Sequence, residues 1–109
     1  MKYILSLLVF SVSVFSNADC VGTSCTGVTI DRLYLYLSQS KVSFSTSGDE
    51  SKLDCTTSTG MYISLPLDLT SSKEAYSLLL AAHQSQNTVW VKTTGAGTSC
   101  EVVYLVSDK

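Results

Sequence analysis

Apolar and polar residues alternate along most of the chain, and a single stretch changes to helical spacing. Val28 and Ile30 alternate with Thr29 and Asp31, then Leu33, Leu35 and Leu37 alternate with Tyr34 and Tyr36. The apolar phase slips by one residue at Asp31-Arg32, which predicts a β-bulge in a long first strand that bends enough to serve both halves of a small barrel. Lys41 to Thr46 reads as a second strand, with Val42 and Phe44 on one face, joined to the first as a hairpin. Residues 47–60 are polar and loop-like. Met61, Ile63 and Leu65 then alternate with Tyr62 and Ser64 as a third strand that Pro66 ends, because proline cannot donate to a ladder.

Ser71-Ser72-Lys73-Glu74 has the spacing of a capping box, so a helix should start there. Ala75, Leu78, Leu79 and Ala82 fall on one stripe, widened by Tyr76 and Leu80, and predict a helix lying with that stripe on the sheet. Thr88 to Thr93 reads as a fourth strand, Gly95-Ala96-Gly97 as a turn, and Cys100 to Val106 as a fifth strand. The fold class is therefore mainly β with one helix, in the order β-β-β-α-β-β. That is the order of the OB-fold, a five-stranded Greek-key barrel with its helix between strands three and four.

The first 18 residues have a different character. Lys2 precedes an apolar run from Tyr3 to Phe15, followed by Ser16-Asn17-Ala18. A positive start, an apolar core and small residues before a cleavage point make a secretory signal peptide. The run is too short to span a bilayer, which takes roughly 20 apolar residues. Residues 19–109 are then a single domain, secreted or periplasmic, and its four cysteines meet an oxidising compartment. Of the three pairings open to Cys20, Cys25, Cys55 and Cys100, the favoured one joins Cys20 to Cys25 and Cys55 to Cys100, a local bridge and one that ties mid-chain to the last strand.

Seven basic residues stand against nine acidic ones, a net charge of −2, and loss of the first segment removes Lys2 as well. Lys41, Lys52, Lys73 and Lys92 are scattered, whereas nucleic-acid binding needs clustered cations, so no nucleic-acid partner is expected. Zinc spacing is missing, and no metal or other cofactor is expected. The one histidine, His83, sits near the helix C-terminus, where imidazoles commonly serve a structural role. Asp49, Glu50 and Asp54 read as a solvated turn beside Lys52, not as the opposed carboxylates of a glycosidase. Gly95-Ala96-Gly97 lacks the lysine and helix of a phosphate loop. These gaps point away from an enzyme.

The aromatic residues carry more information. If the apolar rows Val28/Ile30/Leu33/Leu35, Val42/Phe44, Met61/Ile63/Leu65 and Val89/Val91 fill the interior, alternation places Tyr34, Tyr36, Tyr62 and Trp90 outside. Outward rings on strands fit a subunit interface or a platform for a sugar or other ligand, unless a helix or loop covers them.

Cys25-Thr26-Gly27-Val28-Thr29-Ile30, the helix Ala75-Tyr76-Ser77-Leu78-Leu79-Leu80-Ala81-Ala82, Val89-Trp90-Val91 and Cys100 in the closing strand resemble a family of small exported bacterial proteins that includes the B subunit of subtilase cytotoxin. The resemblance implies an OB-fold that assembles as a ring pentamer and binds glycans on its outer surface. It also implies a sialic-acid contact from the residue before the Gly-Val of the first strand, a serine in the toxin subunit and Thr26 here. The expectation is thus an exported, non-catalytic binding module that holds a glycan or cell-surface receptor through Thr26, Tyr34, Tyr36, Tyr62 and Trp90. The alternative is a periplasmic structural, interaction or inhibitor protein that binds no sugar.

Overall fold

The computed structural model describes residues 18–107, so the expected signal peptide, all but its last residue Ala18, lies outside the described residues. The elements are β1 (Asp19–Val21), β2 (Ser24–Val28), β3 (Ile30–Tyr36), β4 (Lys41–Thr46), β5 (Ile63–Pro66), α1 (Ser72–Ser85), β6 (Val89–Thr93) and β7 (Val102–Ser107). They form a four-stranded sheet in the order β1-β2-β6-β7 and a three-stranded sheet in the order β3-β4-β5. All pairings inside the two sheets are antiparallel.

The long first strand does serve both sheets. It is interrupted at Thr29 into β2 and β3, which carry the chain from one sheet to the other. The register shifts between Ile30 and Arg32, where the apolar phase slips. A second irregularity lies between Cys25 and Val28, where Gly27 takes a left-handed φ of 61°. The short hairpin partner β1 was not foreseen, because three residues beside a cysteine carry too little alternation to read.

The closed barrel expected from the element order is not formed as a continuous ladder. Between β5 and the start of β7 there is one parallel bridge, Ser64 with Glu101, in which the Ser64 N–H donates to the Cys100 carbonyl at 2.9 Å. A parallel ladder would next use the N–H of residue 66, and Pro66 has none. The sheets part beyond that point, and α1 packs across the gap against β3, β5 and β7.

The core holds Phe44, Ile30, Ile63, Leu79, Val28, Val42, Val89 and Val91, all fully buried. Each such side chain contributes roughly 1.5–3 kcal/mol relative to exposure. Disulfides join Cys20 to Cys25 and Cys55 to Cys100, and all four half-cystines are buried with the core. The first spans β1 and β2 at directly opposed positions. The second straps the segment before β5 to the segment before β7.

Several local expectations are corrected. Leu35, placed in the interior by alternation, is 51% exposed, because β3 is the edge of its sheet and runs past the core. Met61 precedes β5 in a turn and is also exposed. The helix starts where predicted, but Ser71 makes no capping hydrogen bond. Ser72 turns inward instead: its hydroxyl accepts from the Leu69 N–H at 3.0 Å and donates to the Pro66 carbonyl at 2.7 Å. On the helix Leu79 and Ala82 are buried, while Leu80 stays exposed. Glu50, read as part of a solvated turn, is buried.

Candidate functional site

The outer face of the three-stranded sheet gathers three of the predicted tyrosines. In β3, Arg32, Tyr34 and Tyr36 are in register with Ser45, Ser43 and Lys41 of β4. Ser43 is in turn opposite Ser64 of β5, and Tyr62 lies just before that strand. Small serines along β4 leave room for larger rings on either side. Tyr34 and Tyr62 meet edge to face above this row, with ring centroids 5.2 Å apart. Tyr36 extends the group, its centroid 6.2 Å from that of Tyr34. Ser43 beneath them is buried.

Two cations complete the surface. The Arg32 guanidinium donates at 3.4 Å to the hydroxyls of both Tyr34 and Tyr62, and it stands 5.9 Å from the Tyr34 ring. The Lys41 ammonium lies 5.5 Å from the Tyr36 ring, within cation–π range. Hydrogen bonding by Tyr34 and then Arg32 favours the Tyr62 anion and holds its phenol below the ordinary value. Tyr34 moves up, mainly because its hydroxyl is engaged with Tyr62. The Arg32 guanidinium is held more firmly protonated by Tyr62 and Tyr34. Among the described residues the one ion pair is Lys52 with Asp19, so neither Arg32 nor Lys41 has a carboxylate partner there.

Beside the rings lies a depression of about 250 Å³ lined by Lys41, Thr56, Thr57, Ser58, Tyr62, Ser64, Ser99 and Cys100. The Thr56–Ser99 bridge and the Cys55–Cys100 disulfide fix this wall. A row of hydroxyls next to an aromatic platform can hydrogen-bond the rim of a polar ring while a tyrosine covers its apolar face.

Thr26 and Trp90 lie elsewhere, on the four-stranded sheet. Val89 and Val91 pair with Val28 and Cys25, so Thr26 and Gly27 are the two residues of β2 that face Trp90 across the irregularity. Trp90 is 39% exposed and also pairs with Val106 of β7. The five predicted contact residues therefore fall on two surfaces, three on one and two on the other. Reasoning from the sequence missed Arg32, Lys41 and the hydroxyls of residues 56–58 and 99. The alternation of β3 placed Arg32 on the tyrosine side of the phase slip, which was a usable signal; the loop hydroxyls gave none.

His83 reaches outside its own helix, not to the helix's last carbonyls as its position suggested. Its Nδ1 is 2.9 Å from the Ile30 carbonyl, which can only accept, so that nitrogen carries the proton. Gln86 donates to the same carbonyl. Among the described residues no cluster of His, Cys, Asp and Glu could hold a metal ion. No helix among them is long and apolar enough to cross a membrane. No protein-family model, no curated protein and no solved structure matches the chain.

Proposed function

We propose that the chain is an exported, non-catalytic binding module that holds a glycan on the outer face of its three-stranded sheet. The observation that carries this reading is the convergence of Tyr34, Tyr36 and Tyr62 over the serines of β4, beside a hydroxyl-walled depression. Thr26 and Trp90 supply a second contact surface, and Thr26 stands where the family resemblance implies a sialic-acid contact. Strand adjacency supports an OB-type barrel left open at one seam: β3-β4-β5 meets β7 at the Ser64–Glu101 bridge, and β7-β6-β2 returns to β3. Two disulfides support a secreted or periplasmic home. The resemblance adds a ring oligomer.

A broad glycan array probed with the mature chain tests the sugar. Retention that Tyr62→Ala and Tyr34→Ala abolish supports the first surface, and Trp90→Ala reports separately on the second. Blank arrays at every concentration would leave the alternative, a structural or inhibitory interaction protein, which exposed Leu37 and Val103 favour.

A further inference from the structure

The depression beside the tyrosines holds a set of donors that the rest of the chain does not use. Around it, Thr59, Thr94 and Thr98 each donate to a backbone carbonyl of a nearby loop. The hydroxyls of Thr56, Thr57, Ser58, Ser64 and Ser99, whose residues line it, bond to no other described residue, and none of them is sealed in the interior. The backbone that carries them is tied down. The Thr56 N–H donates to the Thr98 carbonyl at 2.8 Å, the Cys100 N–H to the Thr56 carbonyl at 2.9 Å, and the Ser64 N–H to the Cys100 carbonyl at 2.9 Å. The Cys55–Cys100 disulfide joins two of the same segments. Donors held in place before a ligand arrives lose little freedom when it binds.

The charge of the lining has one sign. Lys41 is its cation, and no Asp or Glu lines it. The Lys41 ammonium makes no ion pair among the described residues and rests 5.5 Å from the Tyr36 ring. One free ammonium, a point charge, among several single O–H donors suits a tetrahedral oxyanion, whose oxygens accept from many directions. A carboxylate is better matched by the planar fork of an arginine, and Arg32 is turned to the hydroxyls of Tyr34 and Tyr62. The whole chain carries a net charge of −2, so the attraction for an anion is local to this spot.

We infer that the depression binds the sulfate or phosphate ester group of a sugar, with Lys41 as its counter-ion and the hydroxyls of Thr57, Ser58, Ser64 and Ser99 as donors. The sugar ring that carries the ester lies against Tyr62, which belongs to both the depression and the aromatic platform. The inference rests on the glycan reading for the carrier and adds the charged group that the carrier must bear.

Amide NMR shifts of the mature chain, titrated with sodium sulfate and with sodium phosphate at constant ionic strength, test the ester site without any sugar. Saturable shifts should gather at Lys41, residues 56–58, Ser64 and Ser99. Lys41→Gln should weaken binding about tenfold or more, the effect of losing a charged hydrogen-bond partner. Lys73→Gln, an equal change of net charge at an exposed position on α1, should leave binding unchanged. Ser99→Ala, also at an exposed position, should weaken binding in the same direction as Lys41→Gln but less, and it keeps the ammonium and its surroundings intact. On a glycan array, sulfated or phosphorylated galactosides should be retained over unmodified and sialylated ones, and the stronger of the two identifies the ester. Shifts that fail to saturate, that spread over the surface, or that persist undiminished in both Lys41→Gln and Ser99→Ala would overturn the inference. Neutral or sialylated sugars held as well as the esters would also overturn it while leaving the glycan reading intact. Saturable sulfate binding at Lys41 with a blank array would do the reverse.

Discussion

The Glu50 carboxylate accepts from both the backbone N–H and the hydroxyl of Thr46, four residues earlier at the end of β4. Both residues are buried, and the Thr46 hydroxyl in turn accepts from the Gly48 N–H at 3.2 Å. One side chain thereby satisfies the donors of a turn that would otherwise face the core. Glu50→Ala strands those donors, and leaving a buried polar group unpaired costs about 1–3 kcal/mol. Urea unfolding should show a loss of that size, with Glu50→Gln closer to wild type.

Tyrosine ionisation reports on the cation–aromatic cluster. Tyr62, favoured as an anion by Tyr34 and Arg32, should lose its proton below the ordinary 10.0, and Tyr34 above it. An ultraviolet titration should resolve an early step that Arg32→Gln moves upward. A single step at the ordinary value in the wild type would contradict the hydrogen bonding described.

Acid should loosen the N-terminal hairpin. The Asp19 carboxyl is held below 3.8, first by the Cys20 N–H and then by Lys52, and Asp49 is lowered by Ser51. A carboxylate depressed in the folded state lends stability that is fully present above its unfolded value and is lost as pH falls through the folded one. Stability should therefore decline below about pH 3.8, and Asp19→Asn should flatten part of that decline. Both groups are exposed, so the effect is small and salt-sensitive.

The two disulfides should differ in worth. Cys55 and Cys100 are separated by 45 positions and Cys20 and Cys25 by 5. Chain-entropy reasoning gives about 4 kcal/mol for the long loop and about 2 for the short one. Paired Cys→Ser variants should show that ranking in thermal or denaturant midpoints.

Gly48 is confined by packing. A Cβ there would lie 2.9 Å from the Cys20 sulfur and 3.2 Å from the Asp19 backbone, neither of which yields easily. Gly48→Ala should cost about 1–3 kcal/mol through overpacking, seen as a lower melting temperature with unchanged sheet content.

Strand alternation made β4, β6 and the outward tyrosines legible, and the phase slip at Asp31-Arg32 even marked a register shift. Alternation says which side a residue takes but not how far the cover extends, so Leu35 was assigned to the interior on parity alone. Pro66 was read correctly as the end of a strand. Its effect on the neighbouring strand was not legible, because parallel pairing with β7 is a long-range relation. Nor could parity separate two outer surfaces: Trp90 and Tyr34 both alternate outward, but on different sheets. Burial of Glu50 depends on a hydroxyl four residues back, and a carboxylate in a polar loop looks the same from sequence whether wet or dry.

The Cys55–Cys100 strap lies beside the backbone bridge between β5 and the approach to β7, where the Ser64 N–H donates to the Cys100 carbonyl. Cutting that sulfur link should first be felt as breathing along the split, with faster deuterium uptake at the Ser64 amide, while the centres of β4 and β6 keep their protection. The molecule would then behave as two leaves hinged at Thr29, with the clasp undone on the opposite margin.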